Sequence, residues 1–276
     1  MNAAWDRAFP DCIHDAAGRR GTQRMRLGLT ALTTLPWAQD IGHAPDLDTL
    51  RSTIADANEA LVVFDLPASM PSPDLSSIRH AWTVKRHTRQ LSLATGEDPV
   101  ESWPHHRRKQ WRRAEREGMT AEQTQDVNLL VQLHQAARQR KGIPSDETAL
   151  QHLLNHLLQE PDTQAWLVRG QDGESIAGGL FHGAGDGRCI YGFGGQFRGQ
   201  KAGISSRASV LLIGTAMRHA AGQGSRVFDF GGSQDPGVDR FYAEFGAEAI
   251  PKWRAVRIRG VWRPILRWRR PDLFPS

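Results

Sequence analysis

The period of the hydrophobic pattern switches abruptly near residue 163, and that switch restricts the fold more than any other feature. Before it, "DVNLLVQLHQAARQRKG" and "SDETALQHLLNHLLQEP" carry apolar residues at helical spacing, the second opened by Ser145 with Thr148 in the capping-box position. After it, "TQAWLVRG", "ESIAGGLFHGA" and "GRCIYGFGG" are strand-like runs separated by "QDG" and "GDG", both strong hairpin turns. A three-strand meander is expected. A glycine-containing loop then leads into a long helix with Ala208, Leu211, Leu212, Thr215 and Ala216 on one face. "SRVFDFGG" reads as a strand, "VDRFYAEFGA" as a short helix and "IPKWRAVRIRG" as a last strand.

Upstream, the chain to about residue 45 is weakly patterned and reads as mostly irregular with short elements. "DLDTLRSTIADANEA" is a helix capped at Asp46 or Asp48, running into the buried strand "LVVFDLP" and the half-exposed strand "AWTVKRHTRQLSLA". "SWPHHRRKQWRRAEREG" reads as a helix with Ser102 as cap, Pro104 in its first turn and Gly118 past its end, polar nearly all round. No internal repeat or low-complexity tract is visible. The expected division is a reduced α/β half over residues 1–100 and a second domain over 101–276.

At 276 residues with 39% apolar content, the chain is a folded protein. No apolar run approaches a membrane span and no secretory leader is visible, so the cytoplasm is the expected compartment. Cys12 and Cys189 read as plain thiols. His152 and His156 are one helical turn apart without an acidic or cysteine partner, so no metal is expected. No Walker loop or Gly-x-Ser-x-Gly elbow occurs.

Charge is unevenly placed. "WPHHRRKQWRRAEREG" holds six Arg/Lys against two Glu and "KWRAVRIRGVWRPILRWRRP" eight against none, so together they carry +12 within an overall +5. Such stripes point to a polyanionic partner or, equally, to a solvated helix face and a basic tail. The tail mixes Trp262, Ile265, Leu266 and Trp268 with four arginines. It suits a lipid-surface or RNA contact, or a basic helix packed on the domain by its tryptophans.

Three segments resemble the FemAB/FemX-like branch of the GNAT acyltransferase superfamily and its relatives with a BioF2-like acetyltransferase domain. "VKRHTRQLSLA" leading to "HHRRKQWRRAEREG" is similar to a strand and an Arg-rich helix of that branch. "SSRASVLLIGTAMRHAAGQGSRVFDFGGS" is similar to its long helix, glycine turn and "yDfgG" strand. "RFYAEFGAE" is similar to its "FK..FG" signature. The match runs from roughly Leu61 to Gly260. It implies a GNAT-like mixed, largely antiparallel sheet flanked by helices, with a reduced N-terminal α/β half-domain. It also implies transfer of an acyl or aminoacyl group to an amine.

In the cell-wall enzymes of that branch the donor is an aminoacyl-tRNA and the acceptor a muropeptide precursor; other relatives are thought to use acyl-CoA. The resemblance thus implies a co-substrate and no permanently bound cofactor. Where its signature has lysine, this chain has Tyr242, which offers a neutral hydrogen bond or a proton. Tyr242 is therefore the expected general acid. Asp229, between Phe228 and Phe230, is the expected proton acceptor for the amine, or else half of an ion pair with Arg226 or Arg207.

The segment "RGQKAGIS" loosely resembles the GNAT pyrophosphate loop, which assigns Arg198, Lys201, Ala202, Gly203 and Ser205 to the donor. Tyr191, Arg207, Phe241, Gly231 and Gly232 are expected around the substrate. Arg108, Lys109 and Arg112 are expected to contact RNA or phosphate. The partners implied are aminoacyl-tRNA, an amine-bearing precursor of the cell envelope, and a membrane surface met through the Arg/Trp tail. Two other readings stay open: an acyl-CoA-dependent N-acetyltransferase, and an inactive GNAT-like module that binds RNA or membrane.

Overall fold

A computed structural model of the chain describes residues 2–9, 13–15, 18–24, 28–34, 46–68, 70–143, 146–197, 203–232 and 235–275. The first elements in chain order are α1 (Asn2–Ala8), β1 (Ile13–Asp15), β2 (Gly18–Arg24), β3 (Thr30–Thr34), α2 (Leu47–Asp56), β4 (Leu61–Asp65) and β5 (Ala81–Ser92). Next come α3 (His105–Arg116), β6 (Thr120–Gln123), α4 (Val127–Gln139) and α5 (Glu147–Leu157). The meander is β7 (Thr163–Arg169), β8 (Ser175–Gly183) and β9 (Arg188–Gln196). The chain closes with α6 (Ile204–Gly222), β10 (Val227–Asp229), α7 (Pro236–Ala243), β11 (Glu248–Ile258) and α8 (Arg263–Arg269). The mixed, largely antiparallel α/β class expected from the sequence holds.

Two compact units divide the chain: Ala3–Ala8 with Arg89–Ala249, and Phe9–Thr88 with Ile250–Ser276. The sequence division at residue 100 does not mark this partition, because the last strand returns to the early part of the chain. β11 runs antiparallel to β4, from Arg254 opposite Asp65 to Ile258 opposite Leu61.

In that second unit the order is β1-β2-β3-β4-β11, antiparallel except for the β3–β4 pair, which α2 connects as a crossover. Asp46 caps α2, its carboxylate accepting from Thr49 N at 2.9 Å. Leu50 and Ile54 then lie four apart on one helix face and pack with Leu32, Val62 and Phe64. Against the other face of β4 and β11, α8 and the residues after it pack Leu266, Leu273 and Phe274 with Leu61, Val63, Val256 and Ile258. Each such side chain contributes about 1.5–3 kcal/mol when fully buried.

The other unit orders its strands β6-β7-β8-β9-β10 and then the end of β5. All of its pairings are antiparallel except β9 with β10, which are parallel over three residues. α3 and α6 cover the face that carries Phe181, Cys189 and Phe228. They meet closely: a Cβ on Gly214 of α6 would fall 2.2 Å from the Trp111 ring. α4 lies on the face that carries Phe193 and Gly195, where a Cβ on Gly195 would fall 2.0 Å from the Leu133 carbonyl oxygen.

Two helix starts differ from the sequence reading. α3 begins after Pro104 without a side-chain cap, because the Ser102 hydroxyl donates to the Pro99 carbonyl at 2.8 Å. It is not polar all round either, since Arg107, Trp111 and Ala114 are buried. α5 is capped by Asp146, whose carboxylate accepts from Ala149 N at 3.0 Å; Ser145 lies outside the described residues.

Candidate functional site

The site grows from an irregularity in β9. Phe181 of β8 pairs with Tyr191 while its neighbour Leu180 pairs with Phe193, so Gly192 is an extra, bulged residue. Tyr191 shares the α3/α6 face with Cys189, two residues before it, and the bulge turns Phe193 to the opposite face; the Tyr191 ring stacks on Phe181 with centroids 4.7 Å apart and 16° between planes. Gly179 and Gly194 form the floor beneath that ring. A Cβ on Gly194 would sit 1.7 Å from the Tyr191 hydroxyl, so only glycine lets the phenol lie there.

β10 follows β9 for three residues and then turns through Gly231 and Gly232, with φ of 74° and 75°. Glycine is required at Gly231 twice over, by that left-handed backbone and by a Cβ that would fall 2.6 Å from the Tyr191 carbonyl oxygen. α7 comes next, capped by Asp235, which accepts from Val238 N at 3.0 Å and pairs with Lys141 at 2.9 Å. Tyr242 near the end of α7 has its ring 4.6 Å from Phe230 and 6.3 Å from Tyr191. The two phenols, the only two in the chain, thus share one aromatic cluster.

Both tyrosines are half-buried, and neither hydroxyl hydrogen-bonds a described residue. Burial lifts both above the ordinary tyrosine value, and at Tyr191 the neighbouring Tyr242 adds to the rise. Both are therefore neutral hydrogen-bond donors near neutral pH. Such groups can donate to an oxyanion or hand a proton to a leaving group.

Asp229 does not join them. In the parallel register Phe228 pairs with Cys189 and Asp229 with Ile190, and strand alternation turns Asp229 to the face opposite Tyr191. There it is fully buried. Its carboxylate accepts from Gln90 Nε2 at 2.7 Å, Gly231 N at 2.8 Å and Arg188 Nη1 at 3.4 Å. The ion-pair partner is Arg188, in place of the expected Arg226 or Arg207. The carboxylate shapes the Gly231 turn from behind. His182 is on the same side, edge-on to Trp5 at 5.8 Å, and burial pushes its imidazole down to about 4.

Of the expected donor loop, Arg198, Lys201 and Ala202 lie outside the described residues. Gly203 caps α6 with φ 79°, and the Ser205 hydroxyl donates to the Phe197 carbonyl at 2.7 Å. Ser209 donates to the Gln196 side chain at 2.7 Å, so the start of α6 is fastened to the end of β9. The first turn of α6 therefore stands at the end of the strand that carries Tyr191. Arg207 is largely committed, its Nε donating to Glu117 at 2.7 Å. On α3, Arg108 and Arg112 both approach Glu101, at 3.2 Å and 3.6 Å, while Lys109 is exposed.

Two arginines that the sequence reading passed over set the position of α7. Arg107 is 1% exposed. Its guanidinium donates to Glu244, to the Phe241 carbonyl at 3.1 Å and to Gln110, and lies 4.2 Å above the Phe241 ring. Phe241, expected at the substrate, is thus the lid of this arginine. From β5, Arg89 grips Asp239 with two bonds of 2.8 and 2.7 Å. The signal available in the sequence was an acid spaced along "VDRFYAE" with arginines elsewhere, which names no pairing.

No group of three His, Cys, Asp or Glu arranged to hold a metal occurs among the described residues. No helix among them is long and apolar enough to cross a membrane.

The chain resembles the solved structure of FemX, with 13% identity over 96% of this chain and 92% of that one and a TM-score of 0.63. It also resembles L-PGS from Bacillus licheniformis (12% identity, 91% and 88% covered, TM-score 0.55). A third similar structure is the C-terminal domain of a putative lysylphosphatidylglycerol synthetase from Agrobacterium fabrum (14%, 95% and 94%, TM-score 0.55). At these identities the likeness is one of fold. No curated protein sequence matches the chain. The family model described as "Acetyltransferase (GNAT) domain" matches residues 105–242, which is half of the chain and contains α3, the bulged β9, α6 and Tyr242. The chain belongs to the GNAT acetyltransferase family and is an acyltransferase.

Proposed function

We propose that the protein transfers an aminoacyl group from aminoacyl-tRNA to the amine of a small or cell-envelope precursor, forming an amide. The observation that carries the chemistry is the pair of neutral phenols of Tyr191 and Tyr242 in one aromatic cluster, neither hydroxyl bonded to a described residue. The amine attacks the carbonyl carbon of the aminoacyl ester, and its lone pair becomes the new C–N bond. Tyr191 donates a hydrogen bond to the carbonyl oxygen as it gains charge. The C–O bond to the ribose then breaks, Tyr242 gives its proton to the departing oxygen, and the proton lost by the amine returns to Tyr242. Exposed cations on α3, among them Lys109 and Arg116, suit the polyanionic donor, as do the FemX and aminoacyl-lipid synthase likenesses.

The test is transfer of a radiolabelled amino acid from charged tRNA to a panel of amines. Amide formation that Tyr242→Phe suppresses is the expected result. Turnover of acetyl-CoA without transfer from any charged tRNA would overturn the donor assignment.

A second reading, acyl-CoA as donor, is favoured by the glycine-capped start of α6 at the end of the bulged strand, a natural seat for a pyrophosphate. Under it, acetyl-CoA at micromolar concentration raises the melting temperature. Indifference to every CoA ester tested would remove it.

A further inference from the structure

The unit made of Phe9–Thr88 and Ile250–Ser276 holds a cleft of about 560 Å³ whose lining includes Arg79, His80, Trp82, Arg263, Arg267 and Phe274. Its lining has three arginines and no acid. Two of the cations lie over aromatic rings of the lining. The Arg263 guanidinium lies 5.2 Å above the Trp82 ring and that of Arg267 5.9 Å above Phe274. The walls are themselves fixed, since Trp82 stacks on Phe274 at 5.2 Å and donates its indole N–H to the Leu273 carbonyl at 2.7 Å. None of the three arginines pairs with a carboxylate of a described residue, in contrast to Arg254 and Arg270 nearby, which both do. His80 is the one described non-glycine residue at positive φ, 64°, and its carbonyl accepts from Ile258 N.

α8 shows a second feature beside the cleft. Leu266 is buried in the unit's core, and Arg263 and Arg267, four apart, line the cleft. Ile265 and Trp268, three apart, project from the remaining side, 40% and 79% exposed, and Val261 just before the helix is 78% exposed. Arg269 stands over the Trp268 ring at 5.6 Å. An indole, an isoleucine and a valine left in water beside unpaired arginines match a bilayer surface in both layers, the cations with phosphates and the apolar tips with the headgroup–acyl boundary. RNA would use Trp268 by stacking but has no use for Val261 and Ile265.

We propose that this face docks the protein on anionic phospholipid bilayers. A headgroup phosphate enters the cleft between Arg79, Arg263 and Arg267, and Val261, Ile265 and Trp268 insert at headgroup depth. This surface is independent of the acyl-transfer chemistry, and its test uses no activity measurement.

Co-sedimentation of the full chain with vesicles of phosphatidylcholine alone, or with phosphatidylglycerol added, provides that test. Partition onto the anionic vesicles should exceed that onto neutral ones by at least about tenfold and fall as salt is raised. Arg263→Ala with Arg267→Ala should weaken it by about tenfold or more. Trp268→Ala should weaken it several-fold, and its absence should abolish a vesicle-dependent blue shift in fluorescence. Circular dichroism and melting temperature identical to the parent protein show that each variant is folded. Equal binding to neutral and anionic vesicles, or folded variants that bind like the parent, overturns the proposal. So does saturable binding of glycerol phosphate or of RNA without vesicle binding, since it assigns the cleft to a soluble phosphate or a nucleic acid.

Discussion

Tyr242 stands where the resemblance expects a lysine, and its surroundings suit a neutral acid. Phe230 and Phe241 flank its ring, and burial raises its pKa. A phenol in this setting stays protonated well past pH 8, so the rate should show no alkaline loss from tyrosine ionisation below its ordinary value of about 10. Tyr242→Phe removes the hydroxyl and little else; kcat is expected to fall about 10²-fold or more with KM nearly unchanged, read by steady-state kinetics of amide formation. A kcat within a factor of two of the parent would mean that the proton comes from elsewhere. A second residue-scale effect belongs to His182, held neutral by burial with its value pushed down to about 4. The unfolded chain takes up that proton below about 6.5 and the native one only below about 4. Stability is therefore full above about pH 6.5, falls by about 1.4 kcal/mol per pH unit through the window, and levels off below it. His134, which burial also pushes down to about 4, adds an equal share, so stability from urea unfolding between pH 7 and 4.5 should decline at about twice that slope. His182→Leu should about halve the decline, leaving the share of His134.

At the scale of elements, α7 owes its place to charges that meet from elsewhere in its unit. Arg107 of α3 and Arg89 of β5 hold opposite parts of the turn that presents Tyr242. Arg107→Ala strands the Phe241 carbonyl and deprives Glu244 of its partner. Because Glu244 is itself 42% exposed, the cost is about 2–3 kcal/mol, below that of a fully buried pair. The melting temperature should drop, kcat should drop further than stability alone explains, and Arg107→Lys should recover stability more than rate, since lysine cannot span both acceptors. Equal recovery of both would make Arg107 merely structural. The elements themselves were readable from residues: hairpin glycines marked β7, β8 and β9, and "FDFGG" then "RFYAEFG" marked β10 and α7. The partners were not. A bulge at Gly192 is invisible among the many glycines of "LFHGAGDGRCIYGFGG". Whether Asp229 faces the tyrosines depends on a parallel register that no local pattern encodes. The same limit hid the role of Arg107, which reads as one cation among six yet is the one turned inward.

Across the whole molecule, the charge asymmetry seen in the sequence overstates what a polyanion can reach. Of the eight cations in the last basic segment, Lys252, Arg254 and Arg257 are buried. Arg254 is bound to Asp65 by bonds of 2.7 and 2.8 Å, and Arg257 donates to the Ala57 carbonyl at 2.6 Å. They staple β11 to the residues around α2 and β4, which is why a strand so rich in arginine sits inside a sheet. On α3, Arg113 and Glu117 pair at 2.8 Å, Arg108 and Arg112 share Glu101, and Lys109 and Arg116 remain exposed without a carboxylate partner among the described residues. A tRNA donor held by α3 would therefore release few counterions. A plot of log(kcat/KM) against log salt should slope at about −2 to −3, well short of the value that six phosphate contacts would give. Lys109→Ala should reduce the magnitude of that slope by about 0.7–0.9 at every salt concentration and leave kcat alone. Arg257→Ala, which removes a buried staple, should lower the melting temperature without changing the slope. If Lys109→Ala leaves the slope intact while Arg263→Ala changes it, the donor lies along α8 instead, and the basic helix of α3 is a solvated face.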